Sequence, residues 1–209
     1  MTLLEMLEFV REHHPEMGDT MFLKKYNQVE DDFLRRTRVL STVDSSQATD
    51  GSSETHTLIA DCLVIENVFL SDGTNTYEVF HAYPQPYMGQ TGKNTGNYLW
   101  WRTDDLFYIA KDSSTLVVAP TGYTIYVHYR QGATALTAMT GTGSTPLVPA
   151  QYHHGLVSAI IAGGYEKPGK LELNIAKYFR AGYEKAVIEA KKEARSDKRS
   201  GGQIVYREF

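Results

Sequence analysis

The sequence contains very little cysteine and no long apolar run. Cys62 is the only cysteine among the 209 residues, so the chain can form no internal disulfide. It lies within the mainly apolar run 58–65, which predicts a buried strand thiol rather than an exposed nucleophile. No run approaches the ~18 apolar residues of a membrane span. Glu5 and Glu8 interrupt the first residues, where a secretory signal would be apolar. We therefore expect a protein that folds in a cytoplasm and contacts no membrane.

Motifs for catalysis and for metal binding are also scarce. Residues 164–170 match the first seven positions of a phosphate-binding loop, but Leu171 stands where Ser or Thr would hold Mg²⁺. His153 and His154 are adjacent, so on a helix they point about 100° apart, which predicts a surface pair rather than a metal site. No Gly-x-Ser-x-Gly elbow is present. The sequence therefore predicts no enzyme, no metal site and no cofactor.

The spacing of apolar residues divides the chain into helical ends and a β-rich middle. Short strands and turns between residues 57 and 129 predict an antiparallel meander, with polar loops at 41–56 and 131–148. Helices are predicted over residues 2–14, 19–38, 149–164 and 170–195. The expected fold class is α+β, with a helical bundle of N-terminal and C-terminal helices, an inserted antiparallel β subdomain and an extended C-terminal tail.

This pattern predicts one structural domain with a β insertion. Its parts are N-terminal helices (1–40), an inserted β region with long loops (41–148), C-terminal helices (149–199) and an extended tail (200–209).

Charge is distributed unevenly along the chain. Residues 170–199 carry +4, whereas the rest of the chain carries −8. A basic helix of this kind favours contact with an acidic face of a neighbouring subunit, or with nucleic acid. The net charge of −4 argues against strong affinity for DNA, which depends on neutralising phosphates. The candidates for a subunit interface are Lys177, Arg180, Lys185, Lys191, Lys192 and Arg195.

Three segments in a fixed order resemble a known family. They are residues 62–73, residues 106–130, and residues 146–157 followed by the helical stretch 176–183. The first is an apolar strand with a turn, the second a run of strands, and the third a Pro-x-x-Tyr-His-x-x-Leu helix start. Their order and spacing resemble the head-to-tail adaptor (connector or neck) proteins of tailed bacteriophages.

The resemblance implies a structural protein of the virion neck, between head and tail. Such adaptors form rings, commonly dodecameric, in which a helical bundle carries a β insertion. They dock on the portal protein after DNA packaging and give tail or neck proteins an attachment platform. The implied partners are therefore other copies of this chain, the portal protein, and tail or neck proteins, with DNA contact in the channel left open. The family has no catalytic residues.

The last residues have the pattern of a single strand after Gly201 and Gly202. In several adaptors the C-terminal tail inserts into the portal, and a strand without a local partner can add to a sheet of a neighbouring protein. The expected portal-binding residues are Gln203, Ile204, Val205, Tyr206, Arg207, Glu208 and Phe209.

Three other functions compete with this interpretation. Another neck or tail ring protein, such as a stopper or terminator, would usually be mostly β, so the helices at both ends count against it. A carbohydrate-binding β module would rest on Trp100, Trp101 and nearby tyrosines alone. A hydrolase lacks a recognisable nucleophile motif.

Overall fold

The computed structural model describes residues 1–53, 55–81, 98–103, 106–111, 117–141, 144–166 and 172–200. Contacts between residues divide the chain into two compact units. We call Met1–Leu40 with Gly132–Phe209 the helical unit, and Ser41–Gln131 the sheet unit. Among the described residues, no helix combines the length and the apolar character needed to cross a bilayer.

The chain forms the first two helices of the helical unit, then the whole sheet unit, and then returns to complete the helical unit. The helical unit contains α1 (Leu3–His13), α2 (Asp19–Thr37), a 3₁₀ turn (Ala150–Tyr152), α3 (His153–Tyr165) and α4 (Leu173–Ser200). The sheet unit contains β1 (Ser41–Ala48), β2 (Thr55–Thr57), β3 (Cys62–Ser71), β4 (Thr76–His81), β5 (Tyr98–Thr103), β6 (Leu106–Lys111), β7 (Val117–Val118) and β8 (Thr124–Gln131).

The expected helical bundle with an inserted antiparallel β subdomain is wrong, although the class α+β is correct. The strands form one sheet of eight in the order β1-β8-β3-β4-β5-β6-β2, with β7 beside β6. Its seven-strand path curls into a half-barrel. The sheet is also mixed rather than antiparallel throughout, because β4 and β5 run parallel. The expected C-terminal tail lies outside the described residues.

The segment expected to be a polar linker contributes two of the strands. β1 and β2 lie within residues 41–56 or overlap them, and each stands at one end of the strand order. An edge strand pairs on one side only, and the alternating side chains of β1 are exposed or half-buried. Small polar residues are therefore tolerated there, and the apolar alternation that marks an interior strand is missing.

The sheet unit has its own hydrophobic core along β3 and β8. Val68 lies opposite Val127, and Leu70 lies opposite Ile125. All four side chains are fully buried. The register of β3 against β8 shifts twice, between residues 62 and 64 and between residues 65 and 67. Irregularities of this kind bend a strand and increase its twist, which suits a sheet that curls.

α3 is the central helix of the helical unit. Nine of its 13 residues are buried, and α1, α2 and α4 all pack against it. Two small residues let α4 come close, because a Cβ placed on Gly155 would collide with the Cβ of Ala186. α1 begins at a capping box in which Thr2 and Glu5 bond each other's backbone N–H.

Two side chains of α2 hold the segment that leads from β8 to the 3₁₀ turn. Asn27 donates from Nδ2 to the carbonyl O of Leu136 and accepts from its N–H, both at 2.9 Å. Glu30 Oε1 accepts from the N–H groups of Leu147 at 2.9 Å and Val148 at 3.3 Å. Leu136 and Val148 are buried in the helical core. Part of the predicted polar loop 131–148 is therefore anchored from within.

Candidate interaction surface

The candidates for a nucleophile, a metal site and a phosphate-binding loop have structural roles, as far as the structure describes them. Cys62 is buried at the start of β3, as expected, and burial raises the pKa of its thiol to about 11. Among the residues that the structure describes, no group of three or more His, Cys, Asp or Glu side chains could hold a metal ion. Of the segment resembling a phosphate-binding loop, only residues 164–166 are described, and they end α3.

The adjacent histidines do not form the expected surface pair. His153 is buried, and its Nε2 lies 2.8 Å from the carbonyl O of Val148. Burial lowers the pKa of its imidazole. His154 is exposed and contacts the ring of Phe9 edge-on, with the ring centroids 5.9 Å apart. The two rings therefore lie in different environments, as their angular separation on a helix requires.

Both tryptophans proposed as sugar-binding residues are buried. Trp100 is 6% exposed and Trp101 is 7% exposed. Trp101 stacks on Tyr108 with the ring centroids 5.1 Å apart and the planes nearly parallel. Trp100 contacts His81 edge-on at 4.5 Å. Within the described part of the sheet unit, neither ring provides an open platform for a ligand.

The C-terminal helix has two contrasting faces. Its inner face, which includes Tyr183 and Val187, is buried in the helical core. On the opposite side, residues spaced alternately by three and four positions reach solvent, as on one stripe of a helix. We call this stripe the outer face of α4; it consists of Tyr178, Ala181, Lys185, Ile188 and Lys192.

The outer face combines apolar and cationic side chains. Tyr178 is 76% exposed and Ile188 is 53% exposed. Lys185 and Lys192 are exposed as well, and neither forms an ion pair with any residue that the structure describes. Large apolar side chains left in water beside cations are typical of a surface that binds another molecule.

The other interface candidates differ in exposure and in the residues that they contact. Arg180 is held by Glu166, whose two carboxylate oxygens lie 2.7 and 2.5 Å from Arg180 Nη2. That bond raises the pKa of the guanidinium. Lys191 is half-buried, whereas Lys177 and Arg195 are exposed at the margin of the outer face. Lys185 and Lys192 therefore share the outer face of α4, and Arg180 is exposed beside Glu166, with which it is paired.

Contacts between α2 and α4 fix which side of α4 faces outward. Arg36 donates from Nη1 and Nη2 to the two carboxylate oxygens of Glu184, at 2.8 and 2.5 Å. The neighbouring Tyr183 hydroxyl donates to Asp32 at 2.6 Å. The paired fork geometry is directional as well as charged. These bonds hold the rotation of α4 and keep its outer face toward solvent.

An acidic surface on α1 escaped the sequence interpretation. Glu5, Glu8 and Glu12 are exposed on consecutive turns. Leu4 and Phe9 flank them, and each is 43% exposed. We call these five residues the acidic face of α1. The 3-and-4 spacing of the glutamates was the signal that could have revealed the face.

Comparison with known proteins gives one match over almost the whole chain. A family model described as SU10 adaptor protein matches residues 1–206. A comparison with curated proteins gives no match.

Proposed function

Because the chain belongs to the SU10 adaptor protein family, a family of phage adaptors, we propose that it is the head-to-tail adaptor in the neck of a tailed bacteriophage virion. Its copies form a dodecameric ring that docks on the portal protein and gives tail or neck proteins a platform. The role is structural rather than catalytic. The family match confirms the resemblance to phage adaptors seen in the sequence.

The outer face of α4 supports a role in assembly. Tyr178 and Ile188 expose more than half of their surface, and a partner protein would remove that apolar surface from water. Burial of apolar surface contributes about 25 cal/mol per Å², so two side chains of this size would strengthen a contact appreciably. The family match is the observation on which the proposal rests. The exposed apolar surface of α4 is the structural feature that agrees with it.

A protein partner suits the outer face of α4 better than DNA does. Apolar residues separate its lysines, since Ile188 lies between Lys185 and Lys192. A surface that follows phosphates gains affinity from each cation it presents, and apolar side chains add nothing to that term. The net charge of −4 would oppose approach to DNA. We therefore assign these lysines to contacts between proteins.

Electron cryo-microscopy of the purified protein mixed with its cognate portal protein tests this function. We expect a ring of this chain stacked coaxially on the portal. A portal protein from an unrelated phage serves as the control and should remain bare. A chain that stays monomeric and ignores its own portal would contradict the proposal.

The predicted portal-binding segment, residues 203–209, lies outside the described residues. Ala194 is the last buried residue of α4 that the structure describes, so deletion of residues 200–209 removes no described part of the core. We expect this deletion to abolish capture by the portal and to leave the thermal unfolding temperature unchanged. A chain with residues 203–209 replaced by Gly and Ser of equal length is the matched control and should fail in the same way. Undiminished capture by both variants would refute a role for the tail.

A further inference from the structure

We propose that the acidic face of α1 on one copy is the docking site for the outer face of α4 on the next copy. The proposal rests on the proposed function in that the contact would join neighbours in the ring. It names the residues on both sides of that contact, which can be measured between copies of this chain.

The charges on the two faces are opposite and equally spaced. Glu5 and Glu12 are seven residues apart on α1, and Lys185 and Lys192 are seven residues apart on α4. At 1.5 Å per residue, both intervals are about 10.5 Å. Two helices lying side by side can therefore place each lysine near a carboxylate. Glu8 provides a further carboxylate between the outer two.

The apolar residues of the two faces also correspond. Leu4 and Phe9 flank the glutamates of α1, and Tyr178 and Ile188 accompany the lysines of α4. The 3-and-4 alternation along the outer face of α4 is the spacing by which one helix packs along another. Ala181, within this stripe, leaves room for a large side chain from the partner. Phe9 is the aromatic residue that could fill it.

The charged residues of both faces lack ion-pair partners among the described residues of their own copy, although Glu5 accepts a hydrogen bond from the Thr2 N–H at 2.8 Å. Glu8 and Glu12 form no ion pair with any residue in the described ranges, and the same is true of Lys185 and Lys192. The neighbouring cation on α1, Arg11, is engaged by Asp19 at 2.9 Å. Bringing the two faces together would neutralise charges and bury apolar surface at once. Contacts of this mixed kind set both partner choice and register.

The two faces belong to different helices of one unit, and this determines what assembly they produce. α1 and α4 both pack on α3, so the helical unit presents them in a fixed relation. A contact that joins one face to a different face of an identical copy is heterologous. Repetition of a heterologous contact closes into a ring when the rotation permits. The proposed docking is therefore of the type that a ring adaptor needs.

Charge reversal on each face, alone and combined, tests the docking. The variants are E8K/E12K on α1 and K185E/K192E on α4. Each alone places like charges opposite each other, and we expect self-association in sedimentation velocity to weaken about 10- to 100-fold. An equimolar mixture of the two variants should recover association, because the positive α1 of one then meets the negative α4 of the other. The chain carrying all four substitutions should recover as well.

Controls separate this contact from folding and from the proposed function. Lys24→Glu and Glu78→Lys reverse exposed charges outside both faces and should leave association unchanged. Recovery on mixing cannot come from a misfolded chain. If neither the mixture nor the fourfold variant recovers, or if the single-face variants associate like the wild type, the face assignment is overturned. Portal capture is measured in parallel, so a wrong assignment with intact capture leaves the adaptor function standing. A wild-type chain that neither associates nor is captured refutes both.

Discussion

Glu30→Ala should lower the free energy of unfolding by about 2 to 4 kcal/mol. The substitution leaves the half-buried N–H of Leu147 and the buried N–H of Val148 without their carboxylate acceptor, and a buried unpaired donor costs about 1 to 3 kcal/mol. It also removes the contact with the Tyr26 hydroxyl, 3.3 Å from Glu30 Oε1. Urea denaturation followed by circular dichroism measures the loss. The exposed Gln28 on the same helix provides the matched control, and Gln28→Ala should change stability by less than about 0.5 kcal/mol.

The same carboxyl group should make stability depend on pH. Burial raises the pKa of Glu30 above its ordinary value of 4.5, so the folded chain binds this proton more tightly than the unfolded chain. Its contribution is present in full below the unfolded pKa and is lost as pH rises through the folded pKa. Glu30→Gln cannot ionise. We therefore expect the stability of the wild type relative to Glu30→Gln to fall as pH rises above about 4.5. Parallel pH curves for the two proteins would show that Glu30 does not titrate differently on folding.

Gly155→Ala should destabilise the protein by about 1 to 3 kcal/mol, although alanine favours a helix over glycine. The new Cβ would collide with the Cβ of Ala186, so α3 and α4 would have to separate. Thermal unfolding measures the change. Gly163→Ala is the matched control on the same helix, because a Cβ there has no neighbouring atom within 4 Å. It should stabilise by up to about 1 kcal/mol.

A second substitution distinguishes the packing explanation from a local backbone effect. Gly155→Ala combined with Ala186→Gly moves the methyl group from one helix to the other, so the double variant should recover most of the lost stability beyond the cost of a glycine in α4. Stabilities that merely add would contradict the close approach of the two helices at this position.

The helices could be predicted because their apolar spacing is a local property of the sequence. Predicted helices at 2–14 and 19–38 correspond closely to Leu3–His13 and Asp19–Thr37. The sheet could not be predicted equally well, since its pairing joins residues far apart in the chain. Nothing near Val79 indicates that its parallel partner is Tyr98. Polar β1 gave no strand signal because an edge strand needs no apolar alternation.

Part of the candidate surface was also visible in the sequence. The excess of positive charge after residue 170 indicated that the last helix forms an interface. Lys185 and Lys192 do lie on the exposed side of α4. Arg180 was chosen by charge alone, and its pairing with Glu166 depends on how the chain turns between α3 and α4. Glu30 follows Tyr26 by one helical turn and is fully buried, although it carries a charged side chain. The sequence shows a charged residue on an apolar stripe, but it does not show which groups that residue binds. Here they are the N–H groups of Leu147 and Val148.

The ladder between β1 and β8 has a consequence for how the chain folds. Ser41 pairs directly with Arg130, so the points where the chain enters and leaves the sheet unit are neighbours. Closing a flexible loop of that length costs about 4 kcal/mol of chain entropy. Once β1 and β8 have paired, α2 and α3 are joined effectively by residues 38–41 and 130–152, which are 27 residues, instead of the 115 residues of the whole intervening segment. Pairing of these two strands thus lowers the chain-entropy cost of bringing the two halves of the helical core together.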